Sequence, residues 1–152
     1  MINIVEHFRD KAESLGWHFV FGNDADINRK LTQLSIRDGA NVFILYDIAD
    51  MTIIESGEKL TDEVQFNVLF FLGRKTEGGV TVSKLDETLE QKFDNRLYEL
   101  ADESTLFVRR LFCGDGKCRN VRLTHRLNRF SSNIDAIGVQ LNIIVWVRYY
   151  VR

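Results

Sequence analysis

Proline is missing altogether from this 152-residue chain, where average usage would supply about seven or eight. Its absence excludes cis-prolyl turns and polyproline ligands, and it removes a common interruption of long strands and helices. Apolar runs are short, well under the roughly 18 uncharged residues of a membrane-spanning helix, so no segment reads as a span. Cysteine is scarce, with only Cys113 and Cys118, in the stretch Cys-Gly-Asp-Gly-Lys-Cys. Two thiols fall short of the usual zinc ligand set, and His7, His18 and His125 have no spacing that completes one. Plain thiols, a disulfide across the turn and a metal all stay open as readings of the pair. The opening Met-Ile-Asn-Ile-Val-Glu-His lacks a signal-peptide pattern. The default compartment is therefore intracellular, where thiols stay reduced.

Catalytic signatures are lacking too. Asp24, Asp26 and Asn28 imitate the opening of a calcium loop, but Arg29 stands where the turn needs glycine and Ser35 where it needs glutamate. A turn with a helix cap explains them better. Gly114-Asp-Gly-Lys117 has neither the upstream glycine nor the following Ser/Thr of a phosphate-binding loop. His125 falls on the apolar side of a strand and reads as a core histidine. No Ser, Cys or Asp has a nucleophile's context. The expectation is a non-enzymatic protein with no catalytic residue, no cofactor and no metal site.

What is present is the composition of a globular chain, 45% apolar and 28% charged, of a length that suits one domain spanning 1–152. The net charge of −2 hides a marked asymmetry. Residues 109–152 hold nine Lys/Arg against Asp115 and Asp135, a net +7, which leaves −9 for residues 1–108. Such opposite blocks suit pairing within one fold, a basic nucleic-acid surface, or association between copies.

Periodicity sets the elements. Ile4, Val5, Phe8, Ala12 and Leu15 share a helical face, with Asn3 as cap, Glu6 three residues on and Gly16 as terminator. Trp17 to Phe21 reads as a short strand, and Asp26 as the cap of a second helix around Ile27–Leu34 that ends before a turn at Asp38-Gly39. Asn41 to Ile48 is a strand. Gly57-Glu58 breaks the next segment, and Glu63 to Leu72 alternates Val64, Phe66, Val68, Phe70 and Leu72 with Gln65 and Asn67. After a loop at Gly78-Gly79, Ser83 caps a long helical pattern through Leu85, Leu89, Phe93, Leu97, Leu100 and Ala101 towards Leu111. Thirty helical residues would be about 45 Å long, against a radius of gyration of about 15 Å for a compact domain. A break near Asp102–Thr105 is expected. Two strands close the chain, Asn120–Phe130 and a long one over Ile137–Val151, joined by a turn at Ser131-Ser132-Asn133. The fold class is α+β: an antiparallel β-sheet with the N-terminal helix and a long central helix packed on one face.

The second sheet face carries Leu69 and Phe71 in one strand, and Ile144, Trp146, Arg148 and Tyr150 in the last. Apolar residues there need a cover. The Asp50–Lys59 segment can supply it, or a neighbouring copy can, since Trp, Tyr and Arg are enriched at interfaces. An open edge on the long last strand would also invite strand addition. The interface expectation rests on Phe71, Trp146, Arg148 and Tyr150.

This order of elements resembles the tail-completion and tail-terminator proteins of long-tailed bacteriophages and prophages. The likeness rests on the amphipathic opening helix, the Glu63-Val-Gln-Phe-Asn-Val-Leu-Phe-Phe strand, the helix from Ser83, and the closing Gly138-Val-Gln-Leu-Asn-Ile-Ile-Val strand. The resemblance implies a structural protein that forms a homo-oligomeric ring, commonly a hexamer, on the end of the tail tube. Tail-tube and head-connector proteins are then its partners. It would be cytoplasmic during assembly and afterwards a virion component. The competing reading is a nucleic-acid-binding module using a basic face of Arg119, Arg122, Arg126 and Arg129, or another oligomeric partner-binding domain. Nucleic acid is the less favoured, because no aromatic residues are interleaved with these arginines for base stacking. No membrane partner is expected.

Overall fold

The first helix forms where the capping and spacing rules place it. In α1 (Ile4–Ser14) the Asn3 side chain accepts the Glu6 backbone N–H at 3.0 Å, and Ile4, Phe8 and Ala12 are buried. Gly16, at φ 75°, ends the helix in the left-handed conformation that a side chain disfavours. The computed structural model describes residues 3–34, 40–48, 50–75, 88–111, 116–129 and 134–146, with the side chains of 75, 126–129 and 146 left aside.

Strand β1 (His18–Gly22) follows, then α2 (Asp24–Gln33), β2 (Asn41–Tyr46), the hairpin β3 (Met51–Ser56) and β4 (Lys59–Lys75), a long helix α3 (residues 89–110), β5 (Gly116–Arg129) and β6 (Ile134–Trp146). Asn23, and not Asp26, caps α2: its side chain accepts the Asp26 backbone N–H at 2.9 Å, so the helix starts one turn earlier than expected. The turns expected at Asp38-Gly39, Gly78-Gly79 and Ser131-Ser132-Asn133, and the cap at Ser83, lie outside the described residues.

The strand order is β1-β2-β4-β6-β5, and β3 pairs with the first half of β4 on the side where β2 pairs with its second half. All pairings are antiparallel except β1 with β2, whose parallel register runs from His18↔Val42 to Gly22↔Tyr46. The class is α+β, with a mostly antiparallel mixed sheet. A parallel pair needs a crossover, and α2 lies on that path. The last strand, expected at an open edge, is interior: β6 pairs with β4 over Glu63↔Trp146 to Lys75↔Ile134 and with β5 on its other side. Its alternation buries Ile137, Val139, Leu141, Ile143 and Val145 on one face, as read from the sequence.

That face packs against α1 and α3. Its centre is aromatic: Phe43 stacks on Phe70 with ring centroids 4.6 Å apart and meets Phe107 at 4.8 Å, with Phe8 fully buried beside them. Burying each such ring contributes about 1.5–3 kcal/mol. Thr88 and Gln91 form a reciprocal capping box at the start of α3. The break expected near Asp102–Thr105 is absent. There the Ser104 and Thr105 hydroxyls donate back to the carbonyls of Leu100 and Ala101, at 2.7 and 2.9 Å, inside a continuous turn. The irregularity sits earlier, in a π-helical stretch over Phe93–Leu97.

The π stretch lies where charge is buried. Asp135, fully buried on β6, accepts from Arg96 Nη2 at 2.9 Å and from Lys92 Nζ at 3.4 Å. Next to it, Arg74 donates to Asn41 at 2.9 Å and pairs with Glu99 at 3.0 Å, tying β2 and β4 to α3. The second face has a smaller core: Ile27 and Leu31 of α2 against Val20, Val42, Ile44, Phe71, Ile134 and Ala136. For Phe71 and Leu69 the cover expected from Asp50–Lys59 or from another copy is supplied by α2, while Met51–Ser56 is itself a sheet strand.

Candidate functional site

Four residues were expected at a subunit contact, and Phe71 is not available for one. Only 3% exposed, it lies edge-on to Tyr46 with ring centroids 5.6 Å apart, within the core under α2. Trp146 ends β6 opposite Glu63. Arg148 and Tyr150 lie outside the described residues.

Arg119, Arg122, Arg126 and Arg129 all lie on β5, an outer strand of the sheet. Strict alternation would split them, with Arg122 and Arg126 in one phase and Arg119 and Arg129 in the other. The ladder contains two bulges that repair this. Arg119 stands opposite Asn142 and Arg122 opposite Gln140, so three steps on β5 match two on β6. Likewise Arg126 is opposite Ala136 and Arg129 opposite Ile134. All four are thus in register with the even residues of β6. Asn120, at φ 54°, carries the first bulge, in a conformation asparagine tolerates better than most residues. Arg119 and Arg122 are exposed.

Beside them the second face is rich in amides. Asn67 stands opposite Asn142 and Leu69 opposite Gln140. An open trough of ≈ 570 Å³ runs over this floor, with Asn120 and Arg122 on one wall and Tyr46, Asp47 and Asp50 on the other. A second cavity of ≈ 470 Å³ lies between the ends of α1 and α3, lined by Leu15, Trp17, Leu106 and Phe107 with Lys11, Glu103 and Arg110. Its carboxylate is already engaged, since Glu103 accepts from Asn41 and faces Arg74 at 3.8 Å.

Opposite β5 lies the acidic edge. Residues 50–63 hold Asp50, Glu55, Glu58, Asp62 and Glu63 against Lys59 alone, whereas residues 116–129 hold five Lys/Arg and no acid. In this half the sheet is four strands wide, β3-β4-β6-β5, as the row Thr52, Gln65, Ile144, Lys117 shows. Both outer strands expose apolar side chains: Met51 at 52% and Ile53 at 47% on β3, Val121 and Leu123 at 40% on β5.

The remaining sequence candidates have other roles. His125 is exposed on β5, not a core histidine: it lies near the end of an outer strand, in a T-shaped contact with the Phe93 ring at 5.1 Å between centroids. Asp24 accepts the Tyr46 hydroxyl at 2.6 Å, and Asp26 pairs with Arg29 at 3.0 Å, so two members of the calcium-like triplet serve the start of α2. Cys118 is a free, half-buried thiol whose pKa burial pushes up to about 11, which keeps it protonated at neutral pH and a poor nucleophile. Cys113 lies outside the described residues. Among the described residues no helix is long and apolar enough to cross a membrane.

Comparison with protein-family models and with curated proteins returns no match to the chain.

Proposed function

We propose that the chain is a non-enzymatic structural subunit that assembles head-to-tail into a closed ring. Its site of action would be the end of a phage or prophage tail tube, where the ring stops polymerisation and joins the head. The observation that carries this reading is the placement of charge. The edge formed by β3 and its turn carries Asp50, Glu55 and Glu58, and the opposite edge, β5, carries only basic charge, so the surface that binds a neighbour differs from the surface that neighbour binds. Such a heterologous contact generates a ring when the rotation closes. The partners named by this reading are further copies of the chain, tail-tube subunits and head-connector proteins; it acts in the cytoplasm during assembly and then in the virion.

Light scattering behind size exclusion, over a wide concentration range and at two salt concentrations, tests it. A species of fixed size, with a central hole by electron microscopy and weakened by salt, is the expected result. Open filaments or a two-fold dimer would overturn the ring.

The bulges of β5 favour a second reading, in which the in-register arginines hold a phosphate backbone. Binding to short DNA that falls steeply with salt, with no self-assembly, would establish it in place of the ring.

A further inference from the structure

We infer that the subunit contact is a strand-on-strand ladder, in which β3 of one copy adds to β5 of the next and continues a single antiparallel sheet through the assembly. This rests on the head-to-tail reading above and names the contact that makes it. Among the described residues the outer sides of β3 and β5 carry no strand. Chain direction reverses at each step of β3-β4-β6-β5, so β5 runs opposite to β3. A neighbour placed in the same orientation therefore brings its β3 antiparallel to this β5, the more stable kind of ladder.

Side chains match as well as direction. Met51 and Ile53 stand opposite Phe66 and Val64, and Leu123 stands opposite Val139. All three belong to the helix side of the sheet, yet remain about half exposed. A continued sheet sets apolar against apolar on that side. Charge chooses the partner. Two basic edges repel, as do two acidic ones, so like edges are kept apart while unlike edges attract. Single-sign edges of this kind prevent uncontrolled edge pairing and leave one combination open.

A charge swap tests the contact. One variant carries Glu55→Lys and Glu58→Lys, the other Arg119→Glu and Arg122→Glu; all four sites are exposed, and circular dichroism checks that both variants fold. Sedimentation velocity then compares wild type, each variant alone and an equimolar mixture. Each variant alone now presents like charge on both edges, and its self-association should weaken by about tenfold or more. The mixture restores attraction at both kinds of junction, so it should recover the wild-type assembly with the two variants alternating. Recovery of a heterodimer only would mean that like edges pair, and would overturn the inference. Variants that assemble as well as wild type would also overturn it, leaving the ring reading to another surface. Swap-dependent growth into open chains would uphold this contact and sink the ring. Wild type that stays monomeric throughout would overturn both.

Discussion

The two faces of the sheet are built from the same strands but finished differently. On the side of α1 and α3, every even residue of β4 from Val64 to Leu72 is apolar and buried, and the odd residues of β6 from Ile137 to Val145 match them. On the other side the odd residues of β4 change character along the strand, from Gln65 and Asn67 to Leu69 and Phe71. β6 changes one row later, from Asn142 and Gln140 to Gly138, Ala136 and Ile134, with Leu69 opposite Gln140. The change falls where α2 begins to cover the sheet. Strict alternation thus reports which residues share a face, and the chemistry of the minority phase reports how far that face is covered. Ile144 is the exception, buried beyond the amides between Gln65 and Lys117 in the ladder.

This contrast makes the helix-side core the costlier one to disturb. Phe43→Ala removes the ring that touches Phe8, Phe19, Phe70 and Phe107. It should cost about 3–5 kcal/mol in urea unfolding. Asp135→Asn leaves Lys92 and Arg96 facing a neutral amide in a buried position and should cost about 3 kcal/mol, near the lower end for breaking a buried pair. Ile27→Ala, in the smaller core, should cost about 2–3 kcal/mol. A loss at Ile27 equal to that at Phe43 would break the comparison, because it would make the α2 layer as central as the other.

Much of this division was legible in the residues, and the failures have physical causes. The cap at Asn3 and the alternation of Val64 to Leu72 and of Ile137 to Val145 are local signals, and the folded chain displays both. The position of α2 on the second face is not local. It follows from the parallel pairing of β1 and β2, which a sequence of short apolar runs does not announce. The bulges in β5 are hidden for the same reason: a bulge shifts phase without changing composition, so strict alternation alone cannot account for a single basic face of Arg119, Arg122, Arg126 and Arg129. The buried Asp135 also has a trace in the residues. Extending the odd phase of β6 back by one step from Ile137 puts a carboxylate on the apolar face, and Lys92 and Arg96 interrupt the helical stripe at a spacing of one turn. Of the expected contact residues, Phe71 is covered from within the chain, the intramolecular alternative, but by α2 and not by the Asp50–Lys59 segment.

Two substitutions sharpen the boundary on the second face. Gly138 sits under Phe71: a Cβ there would lie 2.8 Å from a ring carbon and 3.0 Å from the Thr124 hydroxyl. Both contacts are tight, and the ring is held in the α2 core, so Gly138→Ala should cost about 1–2 kcal/mol through overpacking. Asn67 lies across the boundary, exposed on the amide floor two residues before Leu69. Among the described residues its side chain accepts from Gln65, at 3.5 Å and exposed to water, so Asn67→Ala removes no buried contact there and should change the isolated chain's stability by less than about 0.5 kcal/mol. A loss above 1 kcal/mol, which is roughly the scale of a buried hydrogen bond, would mean that the amide floor is closed by the chain itself and that the contrast between the two faces is smaller than the ladder suggests.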